Sequence, residues 1–182
     1  MMYISMVALS VIDTYEQHQA IWELFPNSSE RKRDHLFRVE NINTSGQVMV
    51  LLQSASEPQS NVKATVLQSK LFDPQISQGE YYKFKLLANP TKCLSQGKKV
   101  IEIKDENEQI QWLQRKLRGA NVTVTALESV LVKSRKSFTS RFVCFEGILQ
   151  VDKPDQIYSV LVMGIGRKKH AGAGLLSLAK AS

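Results

Sequence analysis

Two groups of residues in this sequence have the types and spacing to act on a phosphodiester. Tyr15 and His18 stand three apart, so a helix through them carries a phenol and an imidazole on one face. An imidazole moves protons near neutral pH, and a phenol beside it can orient or hydrogen-bond a nucleophile. The stripe runs on through Trp22 and Phe25, which is also the pattern of a core-facing aromatic ridge with a hydrogen-bonded histidine. The second group is segment 164–174, GIGRKKHAGAG, where four glycines surround Arg167, Lys168, Lys169 and His170. Glycine lets backbone N–H groups approach an anion and the neighbouring cations add charge, which suits phosphate contact; a solvated turn is the alternative. No GxxxxGKS or GxxxxGKT lies on it, and Lys169 stands where a dinucleotide fingerprint needs its third glycine.

Charge extends the same theme. Residues 1–90 carry 8 basic and 9 acidic side chains and residues 91–182 carry 16 and 8, so the net +7 comes wholly from the C-terminal half. A segregated cationic surface binds polyanions by phosphate contact and counterion release, with nucleic acid the first partner to consider and an anionic membrane surface the second. The candidates for contact are Lys92, Lys98 and Lys99 around a Ser-Gln-Gly turn, Arg115 and Lys116 at a helix end, and the cluster Lys133, Arg135, Lys136 and Arg141. Each could equally be a solvated basic face. Cys93 and Cys144 are too few for a disulfide framework or a four-ligand zinc site, and the three histidines form no HExxH pair, so no metal or other cofactor is expected. No apolar run is long enough to cross a bilayer, and the chain reads as cytoplasmic.

These groups need a scaffold. Residues 3–9 read as a strand; Asp13 and Glu16 open a helix that reaches Phe25, ahead of Pro26. Strands follow at 35–41 and 47–53 across the polar turn 43–46, then a short helix near 60–67 and a strand at 80–88. The second half repeats the order, with a strand at 99–103, a helix at 105–118, strands at 121–132 and 138–151, a helix from Pro154 and a strand at 175–179. Strand, helix, strand, strand, helix, strand is the ferredoxin-like order, so the expectation is an α+β chain of two tandem ferredoxin-like (βαββαβ, RRM-like) domains, 1–90 and 91–182, joined near Asn89-Pro90. RNA recognition motifs share that topology, but no stretch matches their aromatic signature; RFVCFEG at 141–147 has the wrong order. RNA would therefore be held by its phosphates and groove edges rather than stacked on a sheet.

Several segments resemble one family along nearly the whole chain: TYEQH at 14–18, LFRVE at 36–40, LLQS at 51–54, ANPTK at 88–92, QIQWLQRKL at 109–117, FEGIL at 145–149 and GIGRKKHAGAGLLSLA at 164–179. Together they closely resemble CasE, the CRISPR RNA-processing endoribonucleases of Cascade-type systems. The resemblance implies two ferredoxin-like domains that bind the stem-loop of a CRISPR repeat, cut at its base without metal and remain on the product beside other Cascade-type subunits. It also implies that Tyr15, His18 and Lys169 are the catalytic residues, and that a basic hairpin with Lys133, Arg135 and Lys136 docks at the stem. Arg167, Lys168, Lys92, Lys98, Lys99, Arg115 and Lys116 complete the expected RNA-binding set. The reaction expected is in-line attack of a 2′-hydroxyl on the adjacent phosphate, leaving a 2′,3′-cyclic phosphate. Two other readings stay open: an RNA-holding subunit that does not cleave, and a protein-interaction domain whose basic patch meets an acidic partner or a membrane surface.

Overall fold

The computed structural model describes residues 2–28, 32–133 and 139–181. Their contacts fall into two compact units: Met1–Asp73 with Lys133–Phe138 and His170–Gly172, and Pro74–Val132 with Thr139–Lys169 and Ala173–Ser182.

The first unit contains β1 (Met2–Leu9), α1 (Thr14–Trp22), β2 (His35–Ile42), β3 (Val48–Ser54) and β4 (Ala64–Phe72). Its sheet has the order β2-β3-β1-β4, and every pairing is antiparallel. This is the strand order of a ferredoxin-like unit. Alternation along β1 and β3 sends Val7, Leu9, Val48, Val50 and Leu52 into a core shared with Ala20, Ile21, Leu24 and Phe25 from α1 and the turn after it. Ile21 is wholly buried there, so its truncation to alanine costs about 2–5 kcal/mol.

The second unit is built from β5 (Tyr81–Ala88), β6 (Thr91–Cys93), β7 (Val100–Glu102), α2 (Glu106–Lys116), β8 (Ala120–Lys133), β9 (Thr139–Val151), α3 (Pro154–Met163) and β10 (Leu176–Lys180); a 3-10 turn at Lys169–Ala171 has its last two residues in the first unit. The order β10-β5-β9-β8 repeats that of the first sheet, and β6 and β7 form a separate antiparallel ribbon. Tyr82, Phe84, Leu86 and Ala88 of β5 alternate into the core with Trp112, Leu113 and Leu117, while Lys83 and Lys85 do not join it.

Two assignments differ from the sequence reading, and they are linked. The helix expected near 60–67 is absent; β4 begins at Ala64 and pairs with β1 from Leu9↔Ala64 to Met2↔Phe72. The residues before it serve α1 instead: Gln59 N–H donates to Leu24 O at 2.8 Å and Asn61 Nδ2 to Ala20 O at 3.0 Å, satisfying carbonyls that α1 and its turn leave open. With β4 closing the first sheet, the strand at 80–88 opens the second unit, pairing with β9 and β10. The chain thus passes between its contact units after Asp73, whereas the expected domains 1–90 and 91–182 met near Asn89-Pro90. Among the described residues no helix is long and apolar enough to cross a membrane.

Candidate active site

The opening helix is set by its cap. Asp13 is extended and its carboxylate accepts from Tyr15 N at 3.0 Å and Glu16 N at 3.1 Å, two donors that a helix start cannot satisfy internally. A second tie holds the first helical residue, whose Thr14 hydroxyl donates to Lys133 O at 3.3 Å. One turn on, Gln19 Nε2 donates to the Tyr15 phenol oxygen at 3.0 Å, fixing that ring at the surface.

Tyr15 and His18 line one cleft of about 420 Å³, together with Gln19, Trp22, Glu23 and Arg33. His18 is half-buried, and its Nδ1 is shielded and has no hydrogen-bond partner among the described residues. Such an atom in a cleft is what an incoming hydroxyl or phosphate oxygen can satisfy. The imidazole lies 6.3 Å from the Trp22 ring and 6.0 Å from the His170 ring, which it meets nearly edge-on at 82°. Behind Trp22 the buried His35 continues the row, 6.1 Å from Trp22 and stacked on Phe25 at 5.5 Å. Burial first, then the Arg33 guanidinium and then His170, hold the His18 imidazole below its ordinary 6.5. At neutral pH His18 is therefore uncharged and able to accept a proton.

The glycine-rich segment is a strained loop closed at its base, where Ile165 N–H donates to Gly174 O at 2.9 Å. Lys168 has φ of 62°, a left-handed conformation that a side chain seldom takes. Arg167 and Lys168 are exposed, Lys169 is half-buried at the head of the 3-10 turn, and His170 follows it in the chain. Gly172, at φ of 96°, lies where an added Cβ would meet the buried Phe37 ring at 3.0 Å.

The remaining expected contacts spread over several places. Lys92 Nζ pairs with Glu108 at 2.9 Å, so its charge is already engaged on α2. Lys98 and Lys99 are exposed between β6 and β7. Arg115 and Lys116 end α2, with Lys116 Nζ 5.8 Å from the Trp112 ring centre, and both line a second cleft of about 350 Å³ with Arg118, Gln156 and Ser159. Lys133 is exposed at the end of β8, while Arg135 and Lys136 lie outside the described residues. The sequence reading missed Arg33 and His170 as neighbours of His18. His170 was visible among the cations of its segment, but nothing local pairs it with an imidazole near the other end of the chain.

A family model described as "CRISPR associated protein" matches residues 6–180. The chain belongs to this CRISPR-associated family. Among its relatives is the CRISPR system Cascade subunit CasE of Escherichia coli K12, 37% identical over 198 residues that cover 98% of this chain and 99% of that protein. The CRISPR-associated endoribonuclease Cse3 of Thermus thermophilus is 30% identical over 188 residues, covering 91% and 89% respectively. A structure of Thermus thermophilus Cse3 bound to an RNA representing a pre-cleavage complex superposes with a TM-score of 0.86 at 28% identity over 98% of each chain. The CasE-type fold therefore frames the cleft around His18.

Proposed function

We propose that this chain is a cytoplasmic, metal-independent endoribonuclease that binds the stem-loop of a CRISPR repeat, cleaves at its base and stays on the product as a subunit of a Cascade-type complex. The observation that carries this reading is His18, a half-buried imidazole held neutral in an open cleft beside Tyr15, on a chain that matches an RNA-cleaving relative over 91% of its length. The match to CasE, named as a Cascade subunit, supports the part concerning assembly.

In this reading the substrate's O2′ attacks phosphorus, the P–O5′ bond breaks, and a 2′,3′-cyclic phosphate and a 5′-hydroxyl result. His18, neutral at pH 7, takes the proton from O2′ as general base, and the departing O5′ takes up a proton from water to become the 5′-hydroxyl. Tyr15, its phenol oriented by Gln19, hydrogen-bonds the nucleophile or the phosphate. Lys169 and the glycine backbone amides near it answer the charge that develops on the phosphoryl oxygens. Lys133, Arg135 and Lys136 grip the stem, and Arg167, Lys168, Lys98, Lys99, Arg115 and Lys116 contact phosphates, with Lys92 contributing once it leaves Glu108.

The test is incubation with the repeat stem-loop from the same genome in excess EDTA, followed by end-group analysis. Cyclic phosphate termini are expected. RNA that is bound tightly yet remains intact would leave the chain as an RNA-holding subunit, and cleavage that EDTA abolishes would remove the metal-free chemistry. His18→Ala should slow single-turnover cleavage by about 10²–10⁴ with little change in affinity; cleavage at the parental rate would take His18 out of the mechanism.

A further inference from the structure

The 3-10 turn Lys169–Ala171 carries a second imidazole beside His18. The His170 ring stands 6.0 Å from that of His18 at 82°, an edge-to-face arrangement that restricts how the His18 ring can turn. We propose that His170 is a positioning residue for cleavage: its ring, edge-on to that of His18, fixes the orientation of the His18 imidazole, and a charge on it opposes a charge on His18. The proposal rests on the endoribonuclease reading for its link to cleavage, but not for the coupling between the two rings.

His170 is exposed, whereas His18 is half-buried. Two imidazoles this close cannot both protonate freely, because a proton on one opposes a proton on the other. Of the other groups lining that cleft, Arg33 pushes the same way and the Glu23 carboxylate the opposite way. Arg33, from the segment before β2, lines the cleft and adds a fixed positive charge, Tyr15 comes from α1 and Glu23 caps its C-terminus, and His35 of β2 stands behind Trp22. From the end of β8, Lys133 meets Thr14 through its carbonyl. Glu23 is the one carboxylate among the described residues lining that cleft. Two unit charges 6.0 Å apart, even at the dielectric constant of water, change a proton-binding constant about threefold.

The decisive comparison uses His170→Phe, which keeps a ring and removes the charge, and His170→Lys, which makes the charge permanent. His18 is titrated by NMR in the full RNA-free chain, and single-turnover cleavage of the repeat is followed at acidic pH with RNA saturating. The His18 midpoint should move up in the phenylalanine variant and down, or stay, in the lysine variant. On the acid limb the phenylalanine variant should cleave about threefold more slowly than the parent, and the lysine variant no more slowly. A role in packing alone would move both variants in one direction, and identical His18 midpoints in all three proteins would mean no coupling; either result overturns the proposal. A parent protein that fails to cleave would defeat the endoribonuclease reading, while the order of the midpoints would still decide the coupling.

Discussion

Gly172, two residues after His170, packs against Phe37, and its substitution has a cost that can be worked out from the structure. At φ of 96° an alanine pays for a left-handed backbone, about 1–2 kcal/mol, and its Cβ would stand 3.0 Å from Phe37 Cε2. Phe37 is wholly buried in the first core, so its ring cannot step aside without disturbing that packing, which adds about 1–3 kcal/mol. Gly172→Ala should therefore destabilise by about 2–5 kcal/mol and lower Tm by roughly 4–20 °C. Gly46 is the internal control: its φ of 79° imposes similar strain, but a Cβ there meets nothing within 4 Å. Gly46→Ala should cost only about 1–2 kcal/mol. Urea and thermal melts of both variants read the difference, and adding Phe37→Leu to Gly172→Ala should recover part of the loss, giving a coupling of about 1 kcal/mol. A Gly172→Ala protein no less stable than Gly46→Ala, or a strictly additive double variant, would refute the claim that Phe37 holds this turn in place.

Three other outcomes are expected. Asn61 donates to Ala20 O and accepts from Lys63 N at 2.9 Å and Ala64 N at 3.0 Å, so Asn61→Ala should cost about 1–3 kcal/mol in a denaturant melt through the lost bonds between α1 and the start of β4. Because the folded protein holds His18 below its ordinary 6.5, the unfolded chain binds that proton more readily; stability should fall as pH is lowered through and below 6.5, and His18→Gln should flatten this dependence in urea melts at about pH 7.5 and 5.5. Binding of the repeat RNA should weaken linearly in log–log salt titrations. Lys99→Ala should reduce the slope by about one, and Lys92→Ala by less, since Lys92 already faces Glu108 at 2.9 Å.

Much of the fold was legible because it is locally encoded. The period-2 runs in β1, β3, β5 and β9 and the Asp13 cap of α1 are properties of neighbouring residues, and they appear where the sequence reading placed them. The segment 64–72 was not, because its apolar positions follow no clean period and its burial alternates irregularly; only pairing with β1 makes it a strand. Misjudging that one element moved the strand at 80–88 into the wrong sheet.

The site divides in the same way. Spacing of three on a helix by itself puts Tyr15 and His18 on one face, and the glycines with Arg167, Lys168 and Lys169 mark a turn suited to anions. Arg33, His170 and Phe37 join that picture through contacts between residues remote in the chain. Helical and strand periodicities repeat over a few residues and can be read along a sequence, whereas the charge that surrounds an imidazole and the ring that blocks a glycine's missing Cβ are set by which distant segments pack together. Residue type and spacing decided which groups could do the chemistry; packing decided that His18 sits uncharged beside a second histidine.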